Sequence, residues 1–223
     1  MDQRKRLAIY GGTFDPVHLG HLQIARSVSE IFAIDQFLFM PALIAPHKID
    51  REVSSPLHRY AMLALATQHD PRLTVSTYEI EGRERQYTVD TLEHFVSELR
   101  DEADLFFVMG LDSWTELTTW REWRRLPTLA NLIVVTRPGF EFSEQQLESG
   151  MAAMVVDVRG RSHEVPSTLG TREKRIFITD VVQLDISATV VREMARNNQN
   201  DELQKLVPRE VGYYIRKYGL YRN

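Results

Sequence analysis

The sequence predicts an α/β protein built on a doubly wound parallel sheet with helices on both faces. Short runs of consecutive apolar residues alternate along the chain with segments whose apolar residues recur at helical spacing. The apolar runs, such as Asp104–Met109 (DLFFVM), show little polar alternation, which is typical of strands buried on both faces. Because ligands of such sheets bind at the carboxyl ends of the strands, functional residues are expected directly after these runs.

Six strands and five helices are predicted in order along the chain. The strands are Leu7–Tyr10, Gln36–Met40, Leu73–Glu79, Asp104–Met109, Asn131–Thr136 and Arg175–Asp180. The helices are His21–Ala33, Pro56–Gln68 after Ser55 as cap, Thr88–Leu99 with Thr88 as cap, and two C-terminal helices from Thr189 and Pro208. The charged stretch Val158–Arg175, punctuated by glycine and proline, is predicted to be a long surface loop.

The composition is that of an ordinary globular protein. The chain has 223 residues, of which 43% are hydrophobic and 26% charged, with a formal net charge of −4 that argues against a nucleic-acid partner. The absence of cysteine excludes disulfides, thiolate catalysis and cysteine zinc sites. The basic start is too short for a signal peptide and no apolar run could span a bilayer. We therefore expect a cytoplasmic protein without a membrane partner.

Residues 10–22, YGGTFDPVHLGHL, form the first candidate site. Gly11 and Gly12 follow the first predicted strand and let a ligand approach the backbone closely. His18 and His21 are three positions apart, so a helix starting near His18 would place both on one side of its first turn, where its N–H groups and dipole favour an anion. The pattern indicates a phosphate site, although a histidine pair at this spacing could also bind a metal.

A second motif, ISATVVR at Ile186–Arg192, has similar chemistry. Ser187 is a good helix cap, Thr189 adds a hydroxyl, and the Arg192 guanidinium could bind phosphate in a fork. Together with His18-Leu19-Gly20-His21 (HLGH), this motif resembles the two signatures of the HxGH nucleotidyltransferase superfamily. That resemblance implies a Rossmann-like fold as one nucleotidyltransferase domain over residues 1–223, with a C-terminal helical extension over about 187–223.

Within that superfamily the chain is similar to the bacterial nicotinate-nucleotide adenylyltransferases over nearly its whole length. The further segments that resemble motifs of this family are Met40–Lys48, Tyr87–Leu92, Gly110–Ser113, Thr119–Trp123, Arg137–Gly139 and Tyr218–Tyr221. Two residues depart from the family pattern: Ala42 stands where asparagine is often found, and Ala45 replaces the first proline of the Pro-Pro-His-Lys segment.

The resemblance implies adenylyl transfer from ATP to nicotinate mononucleotide in NAD biosynthesis, giving deamido-NAD and pyrophosphate, with Mg²⁺ arriving with ATP and no protein metal site. The residues it assigns to catalysis are His18, His21, Lys48 and Arg192. Those it assigns to ATP are Gly11, Gly12, Thr13, Phe14, His18, His21, Gly110, Asp112, Ile186, Ser187, Thr189 and Arg192. Those it assigns to nicotinate mononucleotide are Thr13, His47, Lys48, Tyr87, Thr88, Trp120, Arg121 and Arg137.

The implied chemistry needs cationic donors and no general base, because a phosphate monoester with a second pKa of about 6 is already mostly dianionic at neutral pH. Trp120, in a polar setting, is expected to be exposed and to stack on the pyridine ring, whereas Trp123 is expected to pack in the core. Backbone N–H groups near Tyr87–Thr88 and Trp120–Arg121 would receive the nicotinate carboxylate.

Three alternatives stay open on the sequence. The chain could be another adenylyltransferase of the superfamily, such as one that acts on phosphopantetheine. It could be a nucleotide sensor that binds without turnover, or a metal-dependent hydrolase that uses the two histidines. The intact cationic residues argue against a sensor, and the lack of further metal ligands at a fixed spacing argues against a hydrolase.

Overall fold

The computed structural model describes residues 4–43, 53–82, 86–100, 102–136, 151–160, 173–181, 184 and 186–222. In this part of the chain seven strands form one sheet in the order β3-β2-β1-β4-β5-β7-β6, with every neighbouring pair parallel. The strands are β1 (Lys5–Gly12), β2 (Gln36–Pro41), β3 (Leu73–Val75), β4 (Ala103–Gly110), β5 (Asn131–Val135), β6 (Val155–Asp157) and β7 (Ile176–Thr179). The predicted doubly wound α/β fold is confirmed.

Helices cover both faces of the sheet. They are α1 (Leu19–Ile31), α2 (Pro56–Thr67), α3 (Tyr78–Glu81), α4 (Thr88–Leu99), α5 (Leu111–Thr115), α6 (Leu126–Leu129), α7 (Ala188–Arg196), α8 (Asn200–Leu206) and α9 (Arg209–Tyr218). Successive residues of β1 alternate between two buried cores: Ala8 and Tyr10 share one with α1, α2 and α7–α9, whereas Leu7 and Ile9 share the other with α4–α6. None of the described helices has the length and apolar character needed to cross a membrane.

The strand order reverses at β1, which lies between β2 and β4. Tyr10 of β1 is aligned with Val108 of β4, so the residues that follow both strands leave the sheet at the same edge. A crevice at this position, beyond the carboxyl ends of the strands, is the usual ligand site of an open parallel sheet. The fold therefore places the first motif, directly after β1, where a ligand is expected.

The prediction of a strand over Leu73–Glu79 is wrong beyond Val75. Only Leu73–Val75 pair with β2, and the Ser76 hydroxyl then accepts the backbone N–H of Tyr78 at 3.1 Å. This bond satisfies a backbone donor at the start of a helix, so Tyr78–Glu81 form α3. The threonines and tyrosine of this segment have high strand propensity, but the local hydrogen bond favours the helix.

Helix α1 is displaced from its predicted bounds, His21–Ala33, by two residues at each end. His18 is its N-terminal cap, so the HLGH motif is itself the first turn. The helix ends before Ala33 because this residue has a φ of 49°, in the left-handed region.

Capping explains the start of two other helices. Ser55 accepts the N–H of Leu57 at 3.3 Å and Pro56 is the first helical residue of α2, both as predicted. Helix α4 has its predicted bounds, but Thr88 is its first residue and not its cap. The cap is Tyr87, whose backbone N–H donates to the Asp90 carboxylate at 3.3 Å.

Strand β6 and the short helices α5, α6 and α8 have no counterpart in the prediction, and α3 replaces part of a predicted strand. Strand β6 adds a parallel edge strand by pairing with β7, and α8 lies between the two predicted C-terminal helices, which begin at Ala188 and Arg209. Most of the predicted surface loop over Val158–Arg175 lies outside the described residues.

Candidate active site

The loop after β1 presents its backbone to the crevice and its aromatic side chain to the core. A Cβ on Gly12 would lie 2.9 Å from the ring of Phe14, so only glycine allows this ring to fold back. Phe14 itself is buried with a φ of 49°, and its ring meets those of Tyr10 and His21 edge to face. Of the predicted ATP residues here, Phe14 can therefore contribute only backbone, whereas Gly11, Gly12 and Thr13 are half-buried.

The two histidines of the first motif lie against each other. Their ring centroids are 3.7 Å apart, and the backbone N–H of His18 donates to Nδ1 of His21 at 3.2 Å. Because Nδ1 accepts this bond, the proton of a neutral His21 ring is on Nε2. His21 thus presents an N–H donor from the first turn of α1, where the helix dipole already favours an anion.

Gly20 brings the two motifs into contact. A Cβ at this position would lie 3.1 Å from Nδ1 of His18 and 3.8 Å from Cβ of Ile186. The glycine therefore makes room for the His18 ring, and it lies within van der Waals reach of the segment that leads into α7. Packing thus explains the glycine at the third position of the HxGH motif.

Helix α7 is tied to the first motif through a buried arginine. Ser187 caps the helix by accepting the N–H of Val190 at 3.3 Å, as predicted. Arg192 is 5% exposed and donates to the backbone carbonyl of Asp15 and, at 2.9 Å, to the hydroxyl of Thr189. The guanidinium that was expected to bind phosphate thus holds the two motifs together through residues 177 positions apart.

Next to β1, strand β4 ends at Gly110, and a Cβ added there would meet no atom within 4 Å. Asp112 follows in α5 and is exposed. A carboxylate in this position can accept hydrogen bonds from a ribose diol. The structure places these two predicted ATP residues beside the loop that carries the histidines.

The residues predicted to bind the pyridine ring gather near the start of α4. The Arg121 guanidinium lies 4.9 Å from the centre of the Tyr87 ring and 3.7 Å from the Asp90 carboxylate. The Tyr87 N–H already donates to Asp90, so this amide is not available to a nicotinate carboxylate. The N–H groups of the first turn, which begins with Thr88, point out of the helix and can serve instead.

The two tryptophans of this region differ in burial. Trp123 is buried, which confirms its predicted packing role. Trp120 is half-buried and not exposed as expected, because its ring packs edge-on against Phe107 at 6.4 Å. Three further predicted residues, His47, Lys48 and Arg137, lie outside the described residues, as does Ala45.

Sequence reasoning missed a buried polar network beside the site, made of Arg59, Asp15, Ser54 and Tyr221. Arg59 donates to the carbonyl of Thr13 at 2.8 Å, and Asp15 accepts the Tyr221 hydroxyl at 2.7 Å. Burial lowers the pKa of the Arg59 guanidinium, and burial raises the pKa of the Tyr221 hydroxyl with a further contribution from the Asp15 charge. One signal in the sequence was Arg59 itself, a charged residue on the otherwise apolar face of α2.

Glu79 of α3 is a further ionisable group with an unusual environment. Its carboxylate accepts the hydroxyl of Thr91, in α4, at 2.8 Å. Burial raises the pKa of Glu79 to about 7 against the opposing effect of this hydrogen bond. Within the described residues, no cluster of three or more histidine, aspartate or glutamate side chains could hold a metal ion.

Known proteins resemble this chain in sequence and in fold. The model of the cytidylyltransferase-like family matches residues 9–194. A protein of Thermoanaerobacter sp. (strain X514) named "Probable nicotinate-nucleotide adenylyltransferase" is 35% identical over 222 residues, which are 100% of this chain and 97% of that protein. A protein of the same name from Thermus thermophilus is 36% identical over 217 residues, 97% of this chain and 100% of that protein.

Among solved structures, the Plasmodium falciparum nicotinic acid mononucleotide adenylyltransferase complexed with NaAD has a TM-score of 0.72 to this chain at 21% identity, covering 97% of each. At 21% identity, the structural likeness supports the fold alone. The sequence relatives are 35–36% identical and cover 97–100% of this chain. Both motifs that meet at the carboxyl edge of the sheet lie within the residues that the family model matches. The chain belongs to the cytidylyltransferase-like family and, within it, to the nicotinate-nucleotide adenylyltransferases.

Proposed function

We propose that this protein transfers the adenylyl group of ATP to nicotinate mononucleotide. The observation that carries the proposal is the meeting of the HLGH turn with the ISATVVR segment, through Gly20 and Ile186 and through Arg192 and Asp15. Two helix starts then lie close together beyond β1, and a helix start favours phosphate oxygens. The family of the chain supports the choice of substrates.

In the proposed reaction, an oxygen of the nicotinate mononucleotide phosphate attacks the α-phosphorus of ATP. The bond from that phosphorus to the bridging oxygen breaks, and pyrophosphate leaves with the electron pair. The attacking phosphate is mostly dianionic at neutral pH, so the protein need not remove a proton. The task of the site is to hold two polyanions in line and offset their repulsion.

The donors proposed for this task are His21 and His18, with Lys48, which follows β2 in the sequence. Nε2 of His21 would donate to the phosphoryl oxygens as charge develops there. Two of the five N–H donors of Arg192 are used by Asp15 and Thr189, so we propose that it orders the first motif and offers its other donors to phosphate. MgATP is the proposed substrate form, with the cation bound mainly by phosphate oxygens.

Each of the remaining predicted residues is proposed to bind one of the two substrates. Gly11, Gly12 and the backbone of Thr13 and Phe14 would approach the ATP phosphates, and Gly110 and Asp112 the ribose. The first turn of α4 with Arg121 would receive the nicotinate carboxylate, and Trp120 would stack on the pyridine ring. A site made of donors favours the acid over the amide, whose NH₂ group brings a donor in place of an acceptor. We place the protein in the cytoplasm.

Release of pyrophosphate tests the proposal. The protein is incubated with MgATP and, separately, with nicotinate mononucleotide, its amide or phosphopantetheine. Release with nicotinate mononucleotide, and more slowly with the amide, is expected. Release with phosphopantetheine alone would contradict the substrate assignment, and binding of ATP without release in any mixture would favour a nucleotide sensor.

A further inference from the structure

Arg59 is an arginine placed where the sequence pattern calls for an apolar side chain. It lies on α2 with Met62, Leu63 and Ala66 at the spacing of one helix face, and all four are buried. Arg59 is 1% exposed. An arginine this deeply buried is stable only when its N–H groups are satisfied by hydrogen bonds, so its partners decide what it does.

Those partners are backbone carbonyls from three separate segments. Nη1 donates to Thr13 at 2.8 Å, Nη2 to Ala42 at 2.7 Å and to Leu43 at 3.3 Å, and Nε to Ser54 at 3.0 Å. Thr13 follows β1, Ala42 and Leu43 follow β2, and Ser54 precedes α2. One planar guanidinium thus fixes the distance between the loops that leave two neighbouring strands.

A carboxylate beside the guanidinium connects two of these segments, the loop after β1 and the segment before α2, a second time. Asp15 accepts the N–H of Ser54 at 3.3 Å and the hydroxyl of Tyr221 at 2.7 Å. The backbone adds one direct link between the two loops, from the N–H of Ala42 to the carbonyl of Gly12 at 3.0 Å. The loops are therefore held by a buried network in which Arg59 makes the largest number of contacts to carbonyls.

We propose that Arg59 is a positioning residue for the transfer reaction, which sets the loop after β1 against the segment after β2 without touching either substrate. The inference rests on the proposed function, in which the first loop approaches ATP and the second segment comes shortly before His47 and Lys48 in the sequence. Because in-line transfer depends on the alignment of two separately bound groups, loosening this link lowers kcat more than it weakens the binding of either substrate.

The test compares Arg59→Lys with a matched variant, Arg6→Lys. Arg6 is also buried, at 6% exposed, and donates to a backbone carbonyl, that of Phe32 at 3.1 Å, but it lies near the amino end of β1. Lysine keeps the charge and loses the fork in both variants. We expect both variants to unfold at a lower urea concentration than the unaltered protein. Only Arg59→Lys should lower kcat, by at least about tenfold, while its KM values for ATP and for nicotinate mononucleotide stay within about threefold of those of the unaltered protein.

Amide exchange at Ala42 supplies a readout that does not depend on turnover. We expect faster exchange there in Arg59→Lys and no change in Arg6→Lys, since only the first loosens the loops. If Arg59→Lys does not fold, Arg59→Gln is measured in the same way.

An unchanged kcat in a folded Arg59 variant, or equal losses of kcat in both arginine variants, would overturn the positioning role while leaving the proposed function intact. If the unaltered protein releases no pyrophosphate with any of the three acceptors, the proposed function fails, and the role of Arg59 fails with it.

Discussion

The backbone N–H of His18 donates to Nδ1 of His21 at 3.2 Å, while the two rings stack with centroids 3.7 Å apart. The bond fixes which nitrogen of His21 carries the proton, and it does so from within the motif. His21 is thereby oriented as a donor through Nε2 and cannot act as a base through Nδ1. Charge stabilisation, and not proton removal, is the chemistry that this pair supports.

Removing the donor of His21 should slow the reaction without unfolding the protein. His21→Ala is expected to lower kcat by at least about a hundredfold, the usual effect of losing a donor to a developing negative charge. Steady-state pyrophosphate release measures this effect. His21→Asn keeps an acceptor near the position of Nδ1 but nothing at Nε2, and should lose as much activity as alanine. His21→Gln places an amide nitrogen near Nε2 and should retain more. Near-normal turnover in His21→Asn would contradict the donor role.

Replacing Gly20 with even the next larger residue, alanine, should lower the activity. Gly20→Ala puts a methyl group 3.1 Å from Nδ1 of His18, so the ring must move, and we expect kcat to fall by at least about tenfold. Gly212→Ala on α9 is the matched control, because its Cβ would meet the side chain of Gln204 and not the motif. Gly20→Ala should also lower the free energy of unfolding by about 1–3 kcal/mol, whereas Gly212→Ala should cost less because the end of the flexible Gln204 side chain can move aside. Equal kcat values in the two variants would contradict this account of the HLGH turn.

Because of Glu79, the stability of the protein should fall as the pH rises from mildly acidic to mildly basic. Its pKa is raised from 4.5 to about 7 in the folded protein, so the protonated form is favoured by folding. That stabilisation is complete below the unfolded pKa and is lost as pH rises through the folded pKa.

Glu79→Gln keeps an acceptor for the Thr91 hydroxyl and removes the charge. Relative to this variant, the unaltered protein should lose about 2–3 kcal/mol of unfolding free energy between pH 5 and pH 8. Urea titrations at several pH values measure the difference. A difference that does not change with pH would show that burial has no such effect on this carboxyl.

Substitution of Trp120 should weaken substrate binding, whereas substitution of Trp123 should lower the stability of the protein. Trp120→Ala removes a stacking surface worth about 1 kcal/mol, so the KM for nicotinate mononucleotide should rise several-fold while the KM for ATP stays unchanged. Trp123→Ala should instead lower the unfolding free energy by about 3–5 kcal/mol, since its ring is buried. If Trp120→Ala leaves the KM for nicotinate mononucleotide unchanged, the stacking role is contradicted.

The fold was largely readable from the sequence because its strands are buried on both faces. Helix α4 occupies its predicted residues, Thr88–Leu99, because the stretch of apolar residues at helical spacing marks both of its ends. Strand β6 was not readable, because Val155–Asp157 is a short edge strand whose only sheet partner is β7 among the described residues. An edge strand of three residues leaves too little pattern to identify.

The site was readable to the extent that its residues lie in two contiguous motifs. Contacts across the chain were not: the hydroxyl of Tyr221 reaches Asp15 from 206 positions away, and no local pattern predicts that bond. The same holds for Arg192, whose helix position was predicted while its bond to the Asp15 carbonyl was not. Local chemistry indicated what the motifs bind, and only the folded chain showed how they are held together.

The most direct test of the central claim follows the α-phosphorus of ATP. With ATP labelled at the α-phosphate and unlabelled nicotinate mononucleotide, we expect the label in a dinucleotide with the mass of deamido-NAD, in an amount equal to the pyrophosphate released. Label found only in AMP would mean transfer to water, and a labelled product formed from phosphopantetheine but not from nicotinate mononucleotide would mean a different acceptor. Either result would contradict adenylyl transfer to nicotinate mononucleotide.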